Sequence, residues 1–227
     1  MNKYKRNKFE ESYFEGWFKG AVGDFTEHDL EISRNWFWAW LTKLNSYVPV
    51  ARGKGRTVLE IGCSIGGVAS LLSERGFNVY ASDISKYAVE RAKKLSPKVM
   101  FCVFDVQKPI PLRKKFDIIL SFEVVEHLEK PELAIKNMYN SLNKGGYLVI
   151  STPYPYKWIH SDPTHINVKF PKEWVNIMKD TGLKKVFYHR FSLLPFFYRF
   201  NRRFHVILPF AIPVSRINSP IFFIGKK

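Results

Sequence analysis

From Thr57 to Thr152, short apolar runs alternate along the chain with segments that have helical spacing. The apolar runs have the composition of buried β-strands and occupy residues 57–61, 78–81, 99–103, 116–121 and 147–152. Most of the segments between them are long enough to hold the helical crossovers that parallel strands require. The alternation therefore predicts an α/β fold, in which helices cover both faces of a parallel sheet.

The segment before this alternation mixes charged residues with aromatic ones. Its apolar positions from about Glu27 to Tyr47 follow the stripe of an amphipathic helix, and Pro49 begins a break. We therefore predict an N-terminal helical cap at residues 1–50, which covers the ligand pocket of a main domain at residues 51–227.

The end of the chain adds further elements to the main domain. The pattern predicts a helix at residues 171–181, a strand at 183–190 and a last strand at 220–225. An aromatic and basic insertion, residues 191–219, separates these two strands. Its three prolines argue against one long helix.

The charge balance is strongly basic, with 36 lysines and arginines, 20 acidic residues and a formal net charge of +16. Such an excess attracts anionic partners, namely nucleic acid, an acidic membrane surface or a phosphate-bearing substrate. The aromatics and arginines of the insertion suit peripheral contact with an anionic membrane. They also suit a subdomain that lines a substrate pocket, and stacking on RNA bases is a third interpretation.

Cellular location is predicted from what the sequence lacks. The chain has only two cysteines, which form no disulfide framework, and its basic start is not followed by the apolar run of a signal peptide. No stretch approaches the roughly 18 uninterrupted apolar residues of a membrane span. We therefore expect a cytoplasmic protein, either soluble or peripheral to the membrane.

The turn after the first predicted strand, residues 60–66, has the features of a nucleotide-binding loop. Gly62 and Gly66 allow the backbone to turn tightly and to approach a ligand closely. Asp83 follows about 20 residues later, where a carboxylate can accept hydrogen bonds from both hydroxyls of a ribose. Asp105, after the third strand, can accept a hydrogen bond from an adenine amino group.

Two cofactor classes compete for such a loop. A dinucleotide-binding G-x-G-x-x-G motif that starts at Gly62 needs a glycine where this chain has Ser64, and its absence hinders the approach of a pyrophosphate. S-adenosylmethionine (SAM) has no phosphate, and its ammonium and sulfonium charges suit the acidic Glu60. The loop therefore favours SAM.

Four motifs in order resemble the class I SAM-dependent methyltransferase family, at residues 58–66, Asp83, 116–121 and 142–150. The resemblance covers about Thr57 to Thr152 plus the terminal strand. It implies a Rossmann-like, doubly wound sheet of seven strands whose last strand is antiparallel.

The resemblance also implies which residues contact SAM. Ser64 stands where this family more usually has glycine. The implied contacts are with the methionine part for Glu60, Gly62, Ser64 and Gly66, with the ribose for Asp83, with the adenine for Asp105 and Val106, and with the transferred methyl for Phe122 and Glu123.

The motif Glu123-Val-Val-Glu126-His127 follows the fourth predicted strand. In a helix, Glu123 shares a face with Glu126 and His127, and such a group can hold a divalent ion or transfer protons. The motif resembles the E-x-x-E-H metal site of ubiquinone-pathway O-methyltransferases and of small-RNA 2′-O-methyltransferases. This implies a Mg²⁺ site with His165 as a further ligand. In the alternative, the carboxylate orients the methionine ammonium and His127 only packs.

Methylation of a hydroxyl needs a base, because the hydroxyl itself is a poor nucleophile. His127 and His165 are the catalytic candidates, acting directly or through a metal that acidifies the hydroxyl. An Asn-Pro-Pro-Tyr motif, which is typical of amino acceptors, is absent. We therefore predict an O-methyltransferase for a small, lipid-linked or glycan-type acceptor. The alternatives are an RNA 2′-O-methyltransferase and a non-catalytic SAM-binding partner protein.

Overall fold

The computed structural model describes residues 26–156, 162–194 and 220–227, together with 201, 206–208, 210 and 212. The first 25 residues of the predicted cap and most of the predicted insertion lie outside the described residues.

The described strands form one large sheet and one small sheet. They are β1 (Thr57–Ile61), β2 (Asn78–Asp83), β3 (Met100–Val103), β4 (Phe116–Phe122), β5 (Leu142–Thr152), β6 (Lys184–Arg190), β7 (Ser192–Leu194), β8 (Val206–Leu208) and β9 (Ile221–Lys226). The large sheet has seven strands in the order β3-β2-β1-β4-β5-β9-β6. Its strands are parallel from β3 to β5, and β9 runs antiparallel to both of its neighbours.

This sheet confirms the predicted seven-stranded α/β fold with an antiparallel last strand. The strand order reverses between β1 and β4, because β2 and β3 lie on one side of β1 and β4 and β5 on the other. Ligands bind at the carboxyl ends of parallel strands next to such a reversal. The topology therefore places the ligand site at the ends of β1, β2 and β4.

Helices cover both faces of the sheet. They are α1 (Glu27–Leu44), α2 (Gly67–Glu74), α3 (Lys86–Leu95), α4 (Pro131–Asn140) and α5 (Pro171–Asp180). Helix α1 begins with a capping box, in which Thr26 Oγ1 accepts from the backbone N–H of Asp29 and the Asp29 carboxylate accepts from that of Thr26. The apolar spacing after Pro131 predicts a helix that reaches Leu142. The helix, α4, ends at Asn140 instead, and β5 begins two residues later.

Helix α1 belongs to the core of the main domain. Its buried Trp40, Leu41 and Leu44 lie in one hydrophobic cluster with Val58 of β1 and Leu71 of α2. The predicted boundary near residue 50 therefore does not separate α1 from the main domain. A role for residues 1–25 over the pocket stays a prediction.

The predicted insertion begins with a short antiparallel pair, β7 and β8. Phe191, directly before β7, is fully buried, and its ring lies 6.1 Å from that of Trp40 and 4.7 Å from that of Phe222. The start of the insertion is therefore anchored in the core beside α1. Within the described ranges, no helix has the length and apolarity to cross a membrane.

Candidate cofactor and reactive site

The loop between β1 and α2 lies at the carboxyl edge of the sheet, beside the reversal of strand order. Gly62 and Gly66 have φ angles of 76° and 87°, which favour glycine. A Cβ on Gly62 would lie 2.2 Å from Cγ2 of Val124. Both glycines are therefore required by the backbone conformation, and Gly62 also by packing.

Asp83, at the end of β2, supports this loop with its carboxylate. Its Oδ2 accepts from the backbone N–H of Ser64 at 2.9 Å, and its Oδ1 accepts from that of Ser85 at 3.0 Å. The residue is only 7% exposed. The predicted ribose contact therefore falls on a carboxylate that also shapes the cofactor loop, and that contact itself stays a prediction.

Ser64 has a φ angle of 47° at the loop position where glycine is more usual. Because a residue with a Cβ pays roughly 1–2 kcal/mol in this conformation, we expect Ser64→Gly to raise the free energy of unfolding by about 1 kcal/mol. Urea unfolding measures the change. Ser73→Gly, within α2, is the control and should lower the same quantity by roughly 0.5 kcal/mol. Equal losses in the two variants would contradict the strain at Ser64.

Glu60 presents a buried carboxylate beneath the same loop. It is 5% exposed, and its Oε2 has no hydrogen-bond partner in the described part of the chain. Burial raises the pKa of Glu60 well above its usual value, although a bond from the Ala69 backbone opposes this. A buried acceptor without a donor is costly, and a cationic ligand that donates to it removes that cost. The site therefore fits the ammonium of SAM.

Asp105 and Val106 follow β3 at the same edge of the sheet. Asp105 Oδ1 accepts from the backbone N–H of Gln107 at 2.9 Å. Val106 is 4% exposed, and its carbonyl oxygen accepts from the side-chain amide of Asn137 at 2.9 Å. The two residues thus belong to a hydrogen-bonded turn at the carboxyl edge of the sheet, and their contact with adenine stays a prediction.

Phe122, the last residue of β4, contributes its ring to the aromatic core. The ring stacks on Phe37 and Phe222 at centroid distances of 6.1 and 5.7 Å, and Trp40 lies 5.4 Å away. Only 7% of the residue is exposed. Its contact with the transferred methyl stays a prediction.

The helical spacing after β4 predicts a helix at residues 124–128, and this prediction is wrong in extent; Glu123 does not lie on a helix. A 3₁₀-helix covers only Val125–His127, and Glu123 precedes it with a left-handed φ of 54°. Its Oε1 accepts from Ser151 Oγ at 2.7 Å, and burial raises its pKa to about 7. Glu123 therefore does not share a helical face with Glu126 and His127, because the turn separates them.

The structure does bring together Glu126, His127 and His165. One ligand atom from each lies within 4.8 Å of the others, and this group does not include Glu123. Glu126 is fully buried, and neither of its carboxylate oxygens has a hydrogen-bond partner among the described residues. Burial, followed by the charge of Glu123, raises the pKa of Glu126 well above its usual value. We call these three residues the reactive cluster.

His165 reaches the cluster because the loop after β5 folds back onto the 3₁₀-helix. The backbone N–H groups of Ile166 and Asn167 both donate to the carbonyl oxygen of Glu126, at 3.0 and 2.9 Å. The side-chain amide of Asn167 donates to the carbonyl oxygen of Leu128. The sequence predicted the pairing of His165 with this motif, and these bonds are its structural cause.

Two residues without a predicted role, Asp162 and Thr164, orient the histidines. Thr164 Oγ1 donates to Asp162 Oδ1 at 2.6 Å and lies 2.9 Å from His127 Nδ1. The hydroxyl hydrogen of Thr164 is used in its bond to Asp162, so the Thr164 oxygen can only accept from His127. His127 therefore donates from Nδ1, and the lone pair of the neutral ring lies on Nε2. Asp162 Oδ2 lies 3.7 Å from His165 Nε2. In the sequence, only their closeness to His165 indicates a role for Asp162 and Thr164.

Comparison with known proteins identifies the family of the chain. Residues 35–187 match the family model for a methyltransferase domain. A ubiquinone biosynthesis O-methyltransferase of Pelagibacter ubique is 31% identical over 163 residues, which cover 62% of this chain and 68% of that protein. A protein of the same name from Rickettsia canadensis is 27% identical over 148 residues, 56% of this chain. The match spans only 62% of the length of the Rickettsia protein.

A solved structure shows the same fold. Magnesium protoporphyrin IX methyltransferase of Synechocystis PCC 6803, with bound SAH, matches with a TM-score of 0.63. The match covers 98% of this chain and 97% of that chain at 16% identity. Because the family model spans well over half of the chain, including the cofactor loop and the reactive cluster, this chain belongs to the methyltransferase-domain family of class I SAM-dependent methyltransferases.

Proposed function

We propose that this chain transfers a methyl group from SAM to a hydroxyl oxygen of a small acceptor. The observation that carries the proposal is the reactive cluster, which follows β4 beside the cofactor loop. A hydroxyl acceptor needs a base in reach, and a carboxylate with two imidazoles supplies one. An amine acceptor would need no such group once its nitrogen is neutral.

The described residues fit SAM as the methyl donor. When bound, SAM supplies an electrophilic methyl group on a positively charged sulfur. Glu60 offers a buried oxygen without a partner to the ammonium, and Asp83 and the two loop glycines shape the backbone around the cofactor. Such fixed groups orient the donor before the acceptor arrives, which lowers the entropic part of the barrier.

His127 is the base that the geometry favours. Its Nδ1 donates to Thr164, so that Nε2 of the neutral ring can accept the proton of an acceptor hydroxyl. Asp162 holds Thr164 in place and lies beside His165. Burial acts to raise the pKa of Asp162, but the hydrogen bonds from Thr164 and the charges of the nearby histidines outweigh it. The net effect is a pKa below the usual value, so Asp162 stays anionic.

The reactive cluster also fits a divalent metal ion. A buried carboxylate whose oxygens have no partner is the kind of group that a cation stabilises. Two imidazoles with one carboxylate favour Zn²⁺ or Mn²⁺ over the expected Mg²⁺, which prefers oxygen ligands. An ion held here would occupy Nε2 of His127 and would acidify the acceptor hydroxyl in place of that base.

The acceptor that we propose is a phenol with an apolar tail. We call the loop at residues 162–170, which carries His165, the reactive loop. Exposed apolar side chains occur in this loop and in the insertion: Ile166 is 49%, Phe170 56%, Val206 53% and Phe210 57% exposed. Both curated relatives above are named for ubiquinone biosynthesis. The net charge of +16 would attract the protein to an anionic membrane that presents such an acceptor.

Methyl transfer can be tested with SAM labelled in its methyl group and 4-dodecylcatechol in phosphatidylglycerol vesicles. We expect label on a catechol oxygen, and more label than with phosphatidylcholine vesicles, because anionic lipid attracts the basic chain. The difference should shrink in high salt, since screening weakens that attraction. Mass spectrometry of the product locates the methyl group.

Total RNA serves as the competing acceptor in the same assay. Label in RNA and none in the catechol would overturn the proposed acceptor class. SAM binding in calorimetry with no label in any acceptor would instead identify a non-catalytic SAM-binding protein.

A further inference from the structure

Arg190, the last residue of β6, is a half-buried cation without an acidic partner among the described residues. Its Nη2 donates to the hydroxyl of Tyr156 at 2.8 Å, and its Cζ lies 4.2 Å from the centre of the Tyr154 ring. Its Nε is buried and has no acceptor within the described part of the chain. Arg34, another half-buried arginine, forms an ion pair with Glu74. A guanidinium that is removed from water without a counter-charge is costly, so Arg190 needs an explanation.

Arg190 lies at the same edge of the sheet as the reactive cluster. It pairs with Ile221 of β9, and Ile221 pairs with Thr152 of β5. Directly paired residues point to the same face, and two strand spacings put Arg190 about 10 Å from Thr152. The residue before Thr152 is Ser151, whose hydroxyl binds Glu123.

An aromatic wall of Tyr154, Tyr156 and Phe170 connects Arg190 with the reactive loop. The rings of Tyr154 and Tyr156 are 4.7 Å apart, and Phe170 meets Tyr154 edge-on at 6.2 Å. Phe170 follows His165 in the same loop. The wall therefore offers ring surfaces that begin at Arg190 and end at Phe170, in the loop that carries His165 of the reactive cluster.

We propose that Arg190 binds the anionic group of an aromatic acceptor, a carboxylate or a phosphate, whose ring lies against the aromatic wall. This inference rests on the proposed function, because it describes the acceptor of the same reaction. A planar guanidinium donates parallel N–H bonds to either oxyanion, and aromatic rings pack best against other rings. Arg190 is thus a specificity-determining residue: among phenols with an apolar tail, it favours those that also carry a carboxylate or a phosphate over those that carry no anionic group.

Calorimetry on the SAH-loaded protein tests this without any methyl transfer, with benzoate, phenyl phosphate and the neutral benzamide as probes. We expect benzoate or phenyl phosphate to bind at least about 10-fold more tightly than benzamide, because bonds to a charged group are the stronger ones. The tighter of the two anions identifies the group that the site prefers. Arg190→Met should remove the preference and leave benzamide binding unchanged.

Lys184→Met is the matched control, because Lys184 is an exposed cation at the opposite end of the same strand. It should keep the full preference. Arg190→Lys, which retains the charge but loses the planar fork, should keep only part of it. Thermal melting shows whether each variant is folded.

Equal binding of benzoate, phenyl phosphate and benzamide to the wild type would overturn the proposal, as would an anion preference that survives Arg190→Met. The proposed function can fail separately. If the preference depends on Arg190 but no hydroxylated acceptor is methylated, the anion site stands and the O-methyltransferase assignment falls. If catechol and 3,4-dihydroxybenzoate are methylated with equal kcat/KM, the O-methyltransferase assignment stands and the anion site falls.

Discussion

Replacing Asp83 with alanine should weaken the binding of S-adenosylhomocysteine by at least about 100-fold, because two bonds to a charged group are lost at roughly 1.5–3 kcal/mol each. These bonds hold the backbone N–H groups of Ser64 and Ser85, and with them the shape of the cofactor loop. The predicted ribose contact would be lost as well. Isothermal titration calorimetry measures the affinity. Asp83→Asn, which keeps an acceptor but not the charge, should lose about 10-fold.

Asp117→Ala provides the matched control for this variant. Asp117 lies near the start of β4, at the opposite edge of the sheet, and accepts from the backbone N–H of Thr57 and the side-chain amide of Asn143, both at 2.8 Å. Both alanine variants should lower the melting temperature, because both leave backbone donors without partners. Only the variant at Asp83 should lose SAH affinity. Unchanged affinity in Asp83→Ala, or an equal loss in Asp117→Ala, would contradict the assigned cofactor site.

Adding Zn²⁺ or Mn²⁺ to chelator-treated protein should raise its melting temperature. Saturation at 100 times the dissociation constant stabilises the folded state by about 2.7 kcal/mol, which corresponds to roughly 5–10 °C for a chain of this size. The physical cause is the carboxylate of Glu126, which is buried and whose oxygens have no hydrogen-bond partner among the residues that the structure describes. Differential scanning calorimetry measures the shift. Glu126→Gln should show little or no shift, because the charge that attracts the ion is gone.

The same cluster should control the rate of methyl transfer. We expect His165→Ala, which removes the second imidazole of the cluster beside the proposed base His127, to lower kcat by about 100-fold or more, the range for a disrupted acid–base site, without changing SAH affinity. His189→Ala is the control, because His189 is also half-buried but packs against Tyr47 and Phe191, away from the cluster. Full activity in chelator would contradict the metal, and full activity of His165→Ala would contradict the role of the cluster.

The sequence by itself determined the sheet and the cofactor loop. Alternation of apolar runs and helical segments is a local property, so the strands of the seven-stranded sheet could be placed before their order was known, whereas β7 and β8 within the predicted insertion could not. The same holds for Gly62 and Gly66, whose φ angles follow from the tight turn after β1. Asp83 could be placed as well, because a strand–helix–strand unit has a nearly constant length.

Only the tertiary structure decided the reactive side. The left-handed turn at Glu123 breaks the helical spacing from which its partnership with Glu126 was predicted, and Ser151 of the neighbouring strand binds Glu123 in this turn. Likewise, the role of Asp162 comes from bonds across loops. Arg190 comes near the pocket only through the pairing of β6 with β9. Local patterns specify elements, whereas contacts between residues distant in sequence depend on how those elements pack. The fold and the residues of the predicted cofactor loop could therefore be predicted from local sequence patterns. The surroundings of the reactive cluster and of Arg190 depend on how the elements pack.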